Sequence, residues 1–219
     1  MRSLPLPVTL TARLLPVAVL ACAGWAYSSG PMAAPSASED RPEASESSAA
    51  PDEPGETVAA KTYERPPAPC GTLPASTVKS LVPDAKTAGK ELSATDESIR
   101  RGCSWSALKG YDYRWLDVSF EVKDSDDLAK KAFAASEAAQ GSKQDIGDEA
   151  ALTTDSTSKD KQQTREAVLT FRKGNALVTV TYNGSDFETK GAPSAGTMSK
   201  GALRAAKDAA AALDSAKGS

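Results

Sequence analysis

Serine stands three residues ahead of lysine in Ser76-Thr77-Val78-Lys79, and the same spacing recurs in Ser156-Thr157-Ser158-Lys159. That is the Ser-x-x-Lys spacing at which a lysine amine can take the proton from a serine hydroxyl for acyl transfer, as in penicillin-binding enzymes. The companion motifs Ser-Asp-Asn and Lys-Thr-Gly are absent, and the second copy falls in a polar stretch read as a loop, so no acyl-enzyme is expected. Histidine is absent from the chain, which removes Ser-His-Asp and Cys-His devices and every imidazole metal ligand. Asp124, Asp126 and Asp127 lack the glycine and closing glutamate of a calcium loop. They precede a helix, where carboxylates offset the positive end of the backbone dipole. Asp145, Asp148 and Glu149 surround Gly147 and predict a turn. No carboxylate pair has a context that assigns acid and base roles. The sequence therefore predicts no catalytic residue, no metal site and no cofactor.

What remains are thiols and aromatics. Cys70 and Cys103 are the only cysteines beyond residue 22. Without histidine, two cysteines cannot complete a tetrahedral zinc site. In an oxidising compartment two cysteines of one compact domain pair, and closing this loop is worth roughly 3.5–4 kcal/mol on the chain-entropy account. Tyr111, Tyr113 and Trp115 share one face of an extended segment, opposite Leu116 and Val118. Aromatics with polar tips suit recognition, so these three form a candidate ligand or partner patch. The competing reading packs Trp105 on the disulfide and lays Tyr113 and Trp115 under the last helix.

The first 27 residues place Arg2 and Arg13 ahead of an apolar run from Leu14 to Tyr27, the pattern of a signal peptide or membrane anchor. Three outcomes compete. Val19-Leu20-Ala21-Cys22 resembles a lipobox, which would make Cys22 a lipidation site. Ala21-Cys22-Ala23 suits ordinary cleavage and release. An uncut segment would stay as a single-pass anchor. Residues 28–69 are rich in Ala, Ser, Pro and Glu and carry a net charge of -5, a composition that predicts a disordered acidic tether. Residues 70–219 hold 21 acids and 21 bases. A neutral domain has no field to gather polyanions, so nucleic acid is not an expected partner.

Periodicity supplies the elements that must position any patch. Pro74–Val82 reads as a short helix, and Arg101–Ala107 and Tyr113–Val122 as strands. Ser125–Gln140 reads as an amphipathic helix with Leu128, Ala132, Phe133 and Ala139 toward the core. Asp145–Ala151 is a turn into a short strand. Arg165–Lys173 and Ala176–Asn183 form a hairpin around Gly174-Asn175. A helix from Ser199 to Ala216 closes the chain. The order α-β-β-α-β-β-β-α predicts one α+β domain: a mostly antiparallel sheet of about five strands, helices packed on it, one disulfide.

Cys70-Gly71-Thr72-Leu73, then Cys103-Ser104-Trp105, Ile146-Gly147-Asp148-Glu149-Ala150, and Phe171-Arg172-Lys173-Gly174-Asn175 before a valine-rich strand resemble, in that order, exported lipoproteins of actinobacteria. These are of the domain of unknown function 3558 type, and the resemblance covers most of residues 70–216. The layout is also similar to the domains of mycobacterial LpqN-type lipoproteins and of kinase sensor ectodomains. The resemblance implies location on the extracytoplasmic face of the cell membrane and a disulfide; it transfers no site. The loose lipobox and long tether depart from the family pattern. The expected function is non-catalytic binding or sensing by a membrane-tethered, lipoprotein-like module, its partner an envelope protein, a wall polymer or a small ligand. The alternative is a carrier holding an apolar molecule between the sheet and the alanine-rich last helix.

Overall fold

The structure is a computed structural model and describes residues 61–217. The leader, Cys22 and the tether through residue 60 lie outside the described residues. Seven strands form one antiparallel sheet: β1 (Lys90–Leu92), β2 (Arg100–Lys109), β3 (Asp112–Val122), β4 (Ser142–Lys143), β5 (Glu149–Lys159), β6 (Gln162–Lys173) and β7 (Ala176–Asp186). They lie in the order β1-β2-β3-β7-β6-β5-β4. The three α-helices are α1 (Ala75–Leu81), α2 (Asp126–Ala134) and α3 (Ala195–Ser215). No helix among the described residues is long and apolar enough to cross a membrane.

Strict alternation decides which face is buried. Leu116, Val118 and Phe120 of β3 sit opposite Tyr182, Val180 and Val178 of β7, and Leu169 and Phe171 of β6 continue those rows. All belong to one core under α3. The helix presents Met198, Ala202, Ala205, Ala206, Ala209 and Leu213, each without solvent exposure. Small alanines let its backbone approach the sheet, and the room expected for an apolar passenger is filled by protein side chains. Gly201 shows how close the layers are: a Cβ there would lie 2.4 Å from the Tyr182 ring.

The disulfide joins Cys70 and Cys103 across 33 residues, with Cα atoms 5.1 Å apart. Cys103 and Trp105 are buried in the same core, and both close on Gly89. The indole N–H of Trp105 donates to the Thr87 carbonyl at 3.1 Å.

Several expectations need correction. The sheet has seven strands, not about five, because β1 and β4 span only three and two residues and are too short to show a period. β5 runs eleven residues; its half from Thr153 to Lys159 is polar because it lies at a hairpin tip outside the core, yet it pairs fully with β6. The long helix of residues 125–140 stops at Ala134 and resumes as a 3-10 turn at Glu137–Gln140. Ala129 and Phe133, four residues apart and so on one face of α2, are buried, as is Ala138 in the 3-10 turn, while Leu128 lies off that face and is exposed. The folded unit also begins ahead of Cys70. Tyr63 is 3% exposed and belongs to the core, so the last residues assigned to the tether are ordered against the sheet.

Candidate functional site

The expected acidic clusters are structural. Ser125 caps α2 by accepting the Leu128 N–H at 3.2 Å, with Asp126 and Asp127 in the first turn. Asp124 pairs with Lys61 at 2.8 Å, which lowers the carboxyl and raises the amine from their ordinary values. Asp148 and Glu149 both pair with Arg172 at 2.9 Å, and Asp148 accepts the Gly174 N–H. Ser76 and Lys79 are exposed on α1, and Ser156 and Lys159 on β5, with no base-to-hydroxyl contact in either pair. Among the described residues no three acidic or sulfur side chains converge as a metal site.

The aromatic patch is different. β2 and β3 join through the two-residue turn Gly110-Tyr111, which Gly110 allows with a φ of 61°. Register then fixes the faces: Tyr113 lies opposite Leu108 and Ser185, and Trp115 opposite Ser106 and Asn183. These residues point away from α3, because Leu116 and Val118 take the buried face. They do not lie under the last helix. Among the described residues, the second face is covered toward its other end, where α2 and the 3-10 turn rest on β5, β6 and β7.

Phe187 completes the corner. Its N–H donates to the Tyr111 carbonyl at 3.0 Å, so the end of β7 returns to the β2–β3 turn. Its ring meets that of Tyr113 with centroids 6.2 Å apart, tilted by 43°. Asp186 sets the bend by accepting the N–H groups of Glu188 and Thr189 at 2.9 and 3.1 Å. The N–H of Thr189 first, and its hydroxyl next, hold the Asp186 carboxyl below its ordinary value.

Exposures are 59% for Tyr111, 55% for Leu108, 47% for Phe187 and 39% for Trp115. The Trp115 indole N–H donates to Ser104 Oγ at 2.8 Å and to Asp117 Oδ1 at 2.7 Å. Both acceptors lie one row along the sheet, so the ring is laid along the face with its polar edge satisfied. Left for a partner is the flat of the ring. The arrangement offers contact surface.

The structure thus brings together Tyr111, Tyr113 and Trp115 and adds two residues that sequence reasoning missed. Leu108 was legible, since β2 alternates Ser104, Ser106, Leu108 against Cys103, Trp105, Ala107. Phe187 carried no signal, lying in the polar run Gly184-Ser185-Asp186-Phe187-Glu188 beyond the expected end of its strand.

No protein-family model matches the chain. No curated protein matches it. Among solved structures, part of the chain is similar to the crystal structure of LpqN, involved in cell envelope biogenesis of Mycobacterium tuberculosis. That match has 14% identity and a TM-score of 0.29, and covers 55% of this chain and 82% of the other. At that TM-score the likeness adds nothing to the case made from the residues.

Proposed function

We propose that the chain is an exported, membrane-tethered module of the actinobacterial lipoprotein type, and that it binds without catalysing a reaction. Its binding surface is the corner formed by Leu108, Tyr111, Trp115 and Phe187. One observation carries this reading: of the seven large apolar side chains left exposed among the described residues, four lie around Tyr113, on β2, the β2–β3 turn, β3 and the residue after β7. Scattered exposed apolar residues are ordinary, whereas a contiguous aromatic patch on an uncovered sheet face marks an interaction site. The partner is another envelope protein, a wall polymer or a small ligand. The filled layer beneath α3 weighs against the carrier alternative.

A photo-crosslinking amino acid at position 111 or 187 of the full chain, expressed in its own cells, tests the surface. Discrete adducts are expected there and not from position 128, which is also exposed. Equal labelling at all three positions, or none, overturns the reading. Mass spectrometry of the mature protein from membranes tests the location through its N-terminus and any acyl chain on Cys22. A full-length cytosolic chain with both Cys70 and Cys103 reduced would count against export.

A further inference from the structure

Beyond the aromatic corner the uncovered face continues across β7, β6 and β5 with charges of one sign. The cross-strand row that starts at Trp115 runs through Asn183 and Glu166 to Asp155. Asp117 stands in the next row, beside Trp115. From the row of Tyr113 to the row of Asp117, β2, β3, β7, β6 and β5 put no lysine or arginine on this face; Lys90 of the edge strand β1, opposite Ser104, is the one basic residue that pairs into those rows among the described residues. Among the described residues none of the three carboxylates has an ion-pair partner. The strand tips carry both signs, with Lys109 and Lys190 against Asp112 and Glu188.

Two details give this acidity a direction. Glu166 and Asp155 face each other across β5 and β6, and like charges directly opposite destabilise an antiparallel pair. Folding alone gains nothing from placing them there. The Trp115 N–H donates to the Asp117 carboxylate, which adds negative potential to a ring whose faces are already negative. An indole in that state attracts a cation above its plane.

We infer that this corner docks a cationic segment of a partner protein. A basic head group sits over Trp115, and further basic side chains lie along Glu166 and Asp155. The inference rests on the proposed role of the aromatic corner and names the chemistry of what it takes. Spacing favours a polypeptide over a single small cation. Trp115 and Asp155 are three strand gaps apart, about 14 Å at about 4.8 Å per gap, which alternate basic residues of an extended segment cover in about four residues. Arginine suits the aromatic end better than lysine, because its planar head stacks on the ring.

The test uses the full chain in phosphatidylcholine nanodiscs, with oligo-arginine, oligo-glutamate and the neutral glycan chitohexaose as probes. Oligo-arginine is expected to bind, about tenfold more weakly to Asp155→Asn/Glu166→Gln and to Trp115→Ala, and more weakly as salt rises from about 50 to about 200 mM. The double variant should melt no lower than the parent, since it relieves a repulsion. A lowered melting point would instead mark the pair as structural and count against the inference. No binding of oligo-arginine, or binding unchanged in both variants, overturns it. Chitohexaose or oligo-glutamate bound in a Trp115-dependent, carboxylate-independent manner would sink the cationic partner while leaving the corner a binding surface. Loss of position-specific crosslinking would remove both.

Discussion

The side-chain amide of Asn175 pairs with both backbone polar groups of Tyr63: Nδ2 donates to the Tyr63 carbonyl at 2.9 Å, and Oδ1 accepts the Tyr63 N–H at 2.8 Å. A neighbouring strand would make the same two bonds. Nδ2 also donates to the Lys123 carbonyl at 2.7 Å, so one buried side chain ties the incoming chain to the ends of β3 and β7. Asn175→Ala leaves three backbone groups unmatched and should cost about 3 kcal/mol in urea unfolding. A loss below about 0.5 kcal/mol would mean that water replaces the amide.

Gly201→Ala raises helix propensity by about 1 kcal/mol yet drives a methyl into the Tyr182 ring. That ring is held by its hydroxyl, which donates to the Leu81 carbonyl at 2.7 Å. The expected outcome is a net loss of about 1–3 kcal/mol and a lower melting temperature. Rescue by Tyr182→Ala in the same chain would locate the clash.

Tyr63 and Tyr182 make an alkaline prediction. Burial is the first cause that raises both phenols above their ordinary value; Asp214 and Asp148 add to it for Tyr63, while Arg114 opposes it for Tyr182. A phenol raised in the folded state stabilises fully below the unfolded value, about 10, and that contribution is lost as pH climbs through the folded value. Melting temperature should therefore fall above about pH 10, and less so in Tyr63→Phe. At neutral pH Tyr63→Phe should be neutral or stabilising by up to about 1 kcal/mol, because its buried hydroxyl has no partner among the described residues. A clear loss at pH 7 would refute this.

Reducing the Cys70–Cys103 bond should cost roughly 3.5–4 kcal/mol, chiefly through a less constrained unfolded chain. Chemical denaturation with and without reductant measures it. Trp105 gives the readout, being buried beside Cys103 while Trp115 is already exposed.

How much of this the sequence could tell depended on contact range. Leu116, Val118 and Phe120 declared β3 by local alternation, and Gly174 with Asn175 declared the hairpin, because both signals lie within a few residues. Cys70 and Cys103 could be paired by elimination. Tyr63 reads as tether from its polar and proline neighbours, because its partner Asn175 lies 112 residues away. The outer half of β5 looked like a loop, since backbone pairing needs no apolar side chains at a hairpin tip. Tyr111, Tyr113 and Trp115 could be placed on one face, but which face is covered is decided by α3, a distant segment. The facing of Glu166 and Asp155 is a matter of register, which composition does not report.

The position of Tyr63 has a mechanical corollary. Residues 61–63 join the fold where β3 ends and β7 begins, whereas Tyr111 and Phe187 stand where β3 begins and β7 ends. Eleven residues of β3 separate those poles by about 33 Å. A pull applied at residue 61 would therefore enter the sheet at the pole opposite the aromatic one, a full strand length from Tyr111 and Phe187.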